Sequence, residues 1–120
     1  MVADDEPLIC EVVADTIRFA GHEVVGTVGN GVEAVEYAAE LRPDLVIMDV
    51  VMPRLNGAEA MAAILEAGTA RTVAVMSGEF RSLGFTPADL LRRGAVALLE
   101  KPFSMTVVIE LLERESNAKR

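Results

Sequence analysis

The 120-residue chain has one cysteine, Cys10, and one histidine, His22. A lone cysteine excludes an internal disulfide, and without clustered histidines or cysteines no zinc or haem site can form, so any metal would be held by oxygen. Lysine is nearly as scarce. Of eleven basic residues only Lys101 and Lys119 are lysines, and the second lies in a polar terminal tail. No uninterrupted apolar run approaches the roughly 20 residues of a membrane-spanning helix. The N-terminus carries Asp4, Asp5 and Glu6 where a secretory signal would have a basic and then an apolar segment, so a cytoplasmic protein is expected. Positive charge is also in deficit, with nineteen acidic residues against eleven basic and a formal net charge of -8. The summed field repels nucleic-acid phosphates and anionic lipid, so neither is an expected partner.

Apolar residues are plentiful, at 52% of the chain, and the mean hydropathy of +0.35 belongs to a folded protein. The length suits one core, so residues 1–120 are read as a single domain. Glycine and proline divide it into segments of alternating period. Ile9, Val13, Ile17 and Ala20 recur at helical spacing from Pro7 to Ala20, with Asp5 and Glu6 before them as cap and dipole partners. Glu23 to Val28 reads as a strand despite Gly26, and Asn30 caps a helix from Gly31 to Arg42 that Pro43 stops. Leu45 to Met48 is a continuous apolar run ending on Asp49, the pattern of a strand covered on both faces. A helix over Ala58 to Ala67, a strand over Thr72 to Met76, a short helix capped by Thr86, a strand over Val96 to Leu99 and a final helix from Ser104 to about Glu115 complete the order. Between them, the segment from Glu79 to Thr86 is apolar for a loop, with Phe80, Leu83 and Phe85 either covering the core or forming a partner surface.

Alternating strands and helices with short connections imply a parallel sheet wrapped on both faces. In such sheets ligands bind outside the carboxyl ends of the strands. The residues at those ends are Asp4 and Asp5, Asp49, Ser77 and Lys101. Converging carboxylates repel one another unless a cation joins them, and with only oxygen donors the fitting ion is hard, most suitably Mg²⁺. A carboxylate can also attack phosphorus to give an acyl phosphate. That chemistry needs charge stabilisation on the transferred group, which a divalent ion, Lys101 as a point charge and Ser77 as a short donor can share.

Asp4-Asp5-Glu6-Pro7, Ile47-Met48-Asp49 followed by Met52-Pro53 and Gly57, the Ser77-Gly78 turn and Glu100-Lys101-Pro102-Phe103 together resemble the receiver domain of bacterial two-component response regulators. The resemblance runs through essentially the whole chain. It implies an α/β, flavodoxin-like, doubly wound five-stranded parallel sheet in strand order 2-1-3-4-5. Position by position, it implies that Asp49 is the phosphoryl acceptor from a sensor histidine kinase or phosphotransfer protein, without a turnover substrate and with slow self-dephosphorylation. Asp5 would be a direct Mg²⁺ ligand, Asp4 a partner acting through water, and Asp49 and the Val51 backbone carbonyl further ligands. Ser77 and Lys101 would bond phosphoryl oxygens, a cis Lys101–Pro102 bond would aim the lysine, and Ser77 would move on phosphorylation. The protein would be a monomer or a phosphorylation-dependent dimer.

Two departures from the family pattern stand out. Leu98 occupies the switch position where an aromatic residue is usual, so an aromatic gate is not expected. Only Met1-Val2-Ala3 precede Asp4, fewer than the usual 5–6 residues of a strand, so either the first strand is stunted or the natural chain begins upstream. Three other functions fit these residues less well. An aspartate-nucleophile phosphohydrolase would need a second aspartate where Val51 stands. A degenerate receiver acting only as a binding module would be expected to lack the acceptor or the lysine, and both are present. A flavin-binding protein would not place Asp4-Asp5-Glu6 against the cofactor phosphate.

Overall fold

The computed structural model describes residues 1–78 and 86–119. Among these residues five strands, β1 (Val2–Ala3), β2 (Thr27–Val28), β3 (Leu45–Asp49), β4 (Thr72–Ser77) and β5 (Ala95–Glu100), alternate with five helices. The helices are α1 (Pro7–Phe19), α2 (Gly31–Leu41), α3 (Gly57–Ala67), α4 (Pro87–Arg92) and α5 (Met105–Lys119). All strand pairs are parallel and the order is β2-β1-β3-β4-β5. This is the expected doubly wound sheet. The order reverses beside β1, so β1 and β3 diverge at their carboxyl ends into connections on opposite faces, opening a crevice there.

The apolar runs divide by parity, as a pleated strand requires. Val46 and Met48 of β3 and Val73 and Val75 of β4 face one core layer with Ala34, Met61, Ile64 and Leu90 of the α2, α3 and α4 helices. Ile47, Ala74 and Met76 face the other, with Val13 and Ile17 of α1 and Val108, Leu111 and Leu112 of α5. Two filled layers explain why the central strands are apolar at every position rather than at alternate ones.

Local chemistry sets the helix ends. Asn30 Oδ1 accepts from the Glu33 amide at 2.9 Å at the start of α2, and Asn56 Oδ1 accepts from the Glu59 amide at 2.9 Å at the start of α3. Thr86 and Asp89 form a reciprocal capping box on α4. Gly68 closes α3 in a left-handed conformation, φ 68°. At α1 the expectation is corrected. Glu6 occupies the cap position without a side-chain cap, and Asp4 Oδ1 instead accepts from the Glu6 amide at 2.9 Å.

β1 is short, as expected, and its brevity decides its neighbour. Only Val2 and Ala3 are available to pair with Thr27 and Val28, so β2 forms over those two residues rather than from Glu23. Edge backbone beyond the reach of a partner has no ladder to join. β1 is nonetheless bound on both sides: the Met1 nitrogen donates to the Leu45 carbonyl at 2.9 Å, and the Asp4 amide donates to the Val28 carbonyl at 3.0 Å. α5 runs on to Lys119, past the expected end near Glu115. Leu98 is half-buried and packs against the α2–α4 core layer. The Phe80, Leu83 and Phe85 expectation falls on residues outside those described.

Candidate functional site

The carboxyl ends of β1, β3, β4 and β5 bring Asp4, Asp49, Ser77 and Lys101 to one edge. Asp4, Asp49 and Ser77 are buried, because each ends or follows an apolar strand that is covered on both faces. Asp5 and Glu6 are exposed at the mouth. Asp5, Glu6, Asp49, Val51, Ser77, Gly78 and Lys101 line a single cleft.

Asp4 and Asp49 are held in the same way. One oxygen accepts from the amide two residues on, Asp4 Oδ1 from Glu6 at 2.9 Å and Asp49 Oδ1 from Val51 at 3.1 Å. The other oxygen accepts from Lys101. Its Nζ lies 2.8 Å from Asp4 Oδ2 and 3.1 Å from Asp49 Oδ2. The lysine is aimed from behind by its backbone, whose amide donates to the Ser77 carbonyl at 2.9 Å. It precedes a cis bond to Pro102, as expected.

The electrostatics follow from burial and pairing. Burial pushes the Asp49 carboxyl above its ordinary pKa, and neither the Val51 amide nor Lys101 fully reverses this. Burial also works against the Lys101 charge, but its bonds to Asp4 and Asp49 outweigh that and hold its pKa above the ordinary lysine value. Cys10 lies behind Asp4, its Sγ donating to the Asp4 carbonyl at 3.3 Å, and burial raises its pKa first of all. A thiol kept protonated there is a packing group and a weak donor.

Carboxylate oxygens of Asp4, Asp5, Glu6 and Asp49 can all lie within 4.8 Å of one another. An all-oxygen donor set of this kind fits a hard divalent cation such as Mg²⁺. Glu6 is an addition to the expected set. Its adjacency to Asp4 and Asp5 was the available signal, and reading it only as a helix-dipole partner hid it. Gly57 was likewise legible only as a motif residue. In the fold α3 starts so close behind β3 that a Cβ on Gly57 would stand 2.1 Å from the Asp49 carbonyl oxygen.

The sequence profile of the response regulator receiver domain matches residues 1–113. The chain belongs to that family. This receiver domain is 41% identical over 117 residues to the transcriptional regulatory protein PdtaR of Mycobacterium tuberculosis, a match covering 94% of the chain and 54% of PdtaR. It therefore spans about half the length of that relative. It is 34% identical over 116 residues to the chemotaxis protein CheY of Thermotoga maritima, covering 97% of the chain and 95% of CheY. Among solved structures it is similar to the receiver domain of the sensor histidine kinase PA1611 of Pseudomonas aeruginosa, with a TM-score of 0.80, 26% identity and coverage of 94% and 92%. That structure has a magnesium ion coordinated in its active-site cleft. The receiver family is a signalling domain of two-component systems rather than a turnover enzyme. No helix among the described residues is long and apolar enough to cross a membrane.

Proposed function

We propose that this chain is a single receiver domain, residues 1–120, working in the cytoplasm as a phosphorylatable switch with Asp49 as acceptor. The observation that carries the reading is the buried Asp49 carboxylate, 3.1 Å from the Lys101 ammonium and clustered with Asp4 and Asp5. A sensor histidine kinase or phosphotransfer protein would supply the phosphoryl group. An Asp49 oxygen attacks phosphorus, the new O–P bond forms, and the P–N bond to the donor imidazole breaks with its electron pair leaving on nitrogen. Lys101 neutralises charge growing on the phosphoryl oxygens, and Ser77 donates to another of them. Asp4, Asp5, Asp49 and the Val51 carbonyl would hold Mg²⁺, with Glu6 at its rim. The ion would supply further charge neutralisation and orient the phosphoryl oxygens.

The phosphoryl group would reward any movement of Ser77 toward it. Half-buried Leu98 would repack in step, with no aromatic gate, and so change the surface a partner reads. The dimeric state, if adopted, would follow phosphorylation. Val51 counts against a phosphohydrolase, since an exposed apolar side chain cannot serve as its general acid. The test is labelling by acetyl phosphate with Mg²⁺. Wild type takes one phosphoryl group and Asp49→Asn takes none. Equal labelling of the two, or no metal-dependent labelling of wild type, overturns the proposal.

A further inference from the structure

Gly31 and Gly57 differ from the other described glycines: at these two alone a Cβ would run into backbone. Gly57 lies against the Asp49 carbonyl. Gly31, the first residue of α2, lies against Leu55, where a Cβ would stand 1.9 Å from the carbonyl oxygen, 2.6 Å from the carbonyl carbon and 2.8 Å from the Leu55 Cβ. The two contacts flank residues 50–56, the loop from β3 to α3 that carries Val51 into the cleft. The Gly57 amide closes the base of that loop by donating to the Val50 carbonyl at 2.8 Å. Its tip has little slack. Pro53 has a fixed φ, Arg54 is held at φ 70°, and the Leu55 amide donates to the Pro53 carbonyl at 2.8 Å. The Val50 and Met52 side chains are buried in the core layer that also takes Ala34 and Ala38 of α2, and Leu55 packs against it.

Resting on the Mg²⁺ reading above, we infer that Gly31 is a positioning residue for the Val51 carbonyl: the first turn of α2 is a stop against which Leu55 rests, and it fixes how the β3–α3 loop presents that carbonyl to the ion. A side chain at position 31 leaves two ways out. Leu55 lifts, and the stiff Pro53–Arg54 tip passes the displacement back toward Val51. Otherwise α2 withdraws, and the packed layer beneath Met52, the neighbour of Val51, opens. Either way the carbonyl is displaced while the carboxylates of Asp4, Asp5 and Asp49 stay at the ends of β1 and β3. Mg²⁺ demands near-octahedral geometry at short bonds, whereas Ca²⁺ accepts longer and less regular ones. A positioning role therefore costs selectivity as well as affinity, and a general loosening of the fold does not.

The test is calorimetric titration of the whole chain with MgCl₂ and with CaCl₂, for wild type and three variants. Gly31→Ala is expected to bind Mg²⁺ about tenfold more weakly than wild type and Ca²⁺ nearly as well. Asn30→Ala removes the cap whose Oδ1 accepts from the Glu33 amide at 2.9 Å, and so frays the same turn without adding bulk. It is expected to weaken Mg²⁺ binding by a smaller factor, and it decides the matter where Gly31→Ala does not fold. Thr86→Ala removes an equivalent cap from α4 and is expected to bind Mg²⁺ as wild type does. A Mg²⁺ affinity equal to that of wild type in folded Gly31→Ala, or in Asn30→Ala, overturns the inference while leaving the metal site intact. An equal loss for both ions in Gly31→Ala, or a loss in Thr86→Ala as large as in Asn30→Ala, also overturns it, since the ion would then be sensing stability and not the position of the loop. If wild type takes up no Mg²⁺, the metal reading itself falls and this inference with it.

Discussion

Gly57→Ala sets two effects of opposite sign against each other at the back of β3. Alanine is the better helix former, by up to about 1 kcal/mol, with less of that gain available in a first turn. Against it, the new Cβ would stand 2.1 Å from the Asp49 carbonyl oxygen, 2.7 Å from Val50 Cα and 2.9 Å from the Asp49 carbonyl carbon. All three are backbone atoms, so no rotamer change relieves the clash, and α3 must draw back from β3. Overpacking of this kind costs about 1–3 kcal/mol, here at the upper end. Drawing back also stretches the bond from the Gly57 amide to the Val50 carbonyl, now 2.8 Å, for about 1 kcal/mol more. The clash wins, with a net loss of about 3 kcal/mol. At about 2.1 cal/mol/K of unfolding entropy per residue, each kcal/mol moves the Tm of a chain this size by about 4 °C, so thermal unfolding followed by circular dichroism should fall by about 12 °C. Phosphoryl labelling should slow as well, because the displaced backbone carries Asp49, the proposed acceptor. Gly68→Ala is the control: its φ of 68° makes alanine strained, but nothing lies within 4 Å of the added carbon. It should cost only about 1 kcal/mol and leave labelling unchanged. A Tm for Gly57→Ala equal to or above that of wild type would refute the close-approach argument.

Three further outcomes follow from the same structure. Thr86→Ala removes one half of the α4 capping box and should cost about 1 kcal/mol, or about 4 °C in Tm, with faster amide exchange in α4; exchange unchanged there would mean the cap is idle. MgCl₂ at a hundredfold excess over its dissociation constant should stabilise wild type by about 2.7 kcal/mol, seen as a rise in Tm that Asp5→Asn diminishes. Folding raises the Asp49 pKa above 3.8, chiefly by burial, so the folded state binds that proton more tightly than the unfolded chain and the ionised carboxylate opposes folding. Asp49→Asn should therefore be the more stable protein at pH 7, and urea unfolding at a series of pH values should show the difference closing as pH falls through the raised pKa toward 3.8; a gap that widens on acidification would reverse the sign and refute the assignment.

The outline of the sheet was legible because its cues are local. Apolar runs at β3 and β4, Asn30 and Thr86 as caps, and Gly68 as a stop each act within a few residues. Elements whose extent depends on a partner were misjudged. Thr27–Val28 has a strand-like stretch before it, but β1 offers two residues to pair with, and a strand extends only as far as its ladder. α5 continues past Glu115, where Arg71 reaches across to donate to the Glu115 carbonyl at 2.9 Å, a contact from a distant loop that no helical period announces.

The site divides along the same line. Residue types and their places at strand ends determined which groups could meet: oxygen donors only, a carboxylate at the end of β3, one lysine, one hydroxyl. Tertiary structure alone decided who holds whom. Lys101 lies 97 residues from Asp4 and 52 from Asp49 in the chain, and its bond to both depends on the parallel register of β1, β3, β4 and β5. Glu6 joining the carboxylates and Gly57 lying close against the Asp49 backbone are decided the same way. Composition specifies which charges exist, but the energy of a charge depends on its distances and its access to water, and those exist only once the strands are in register.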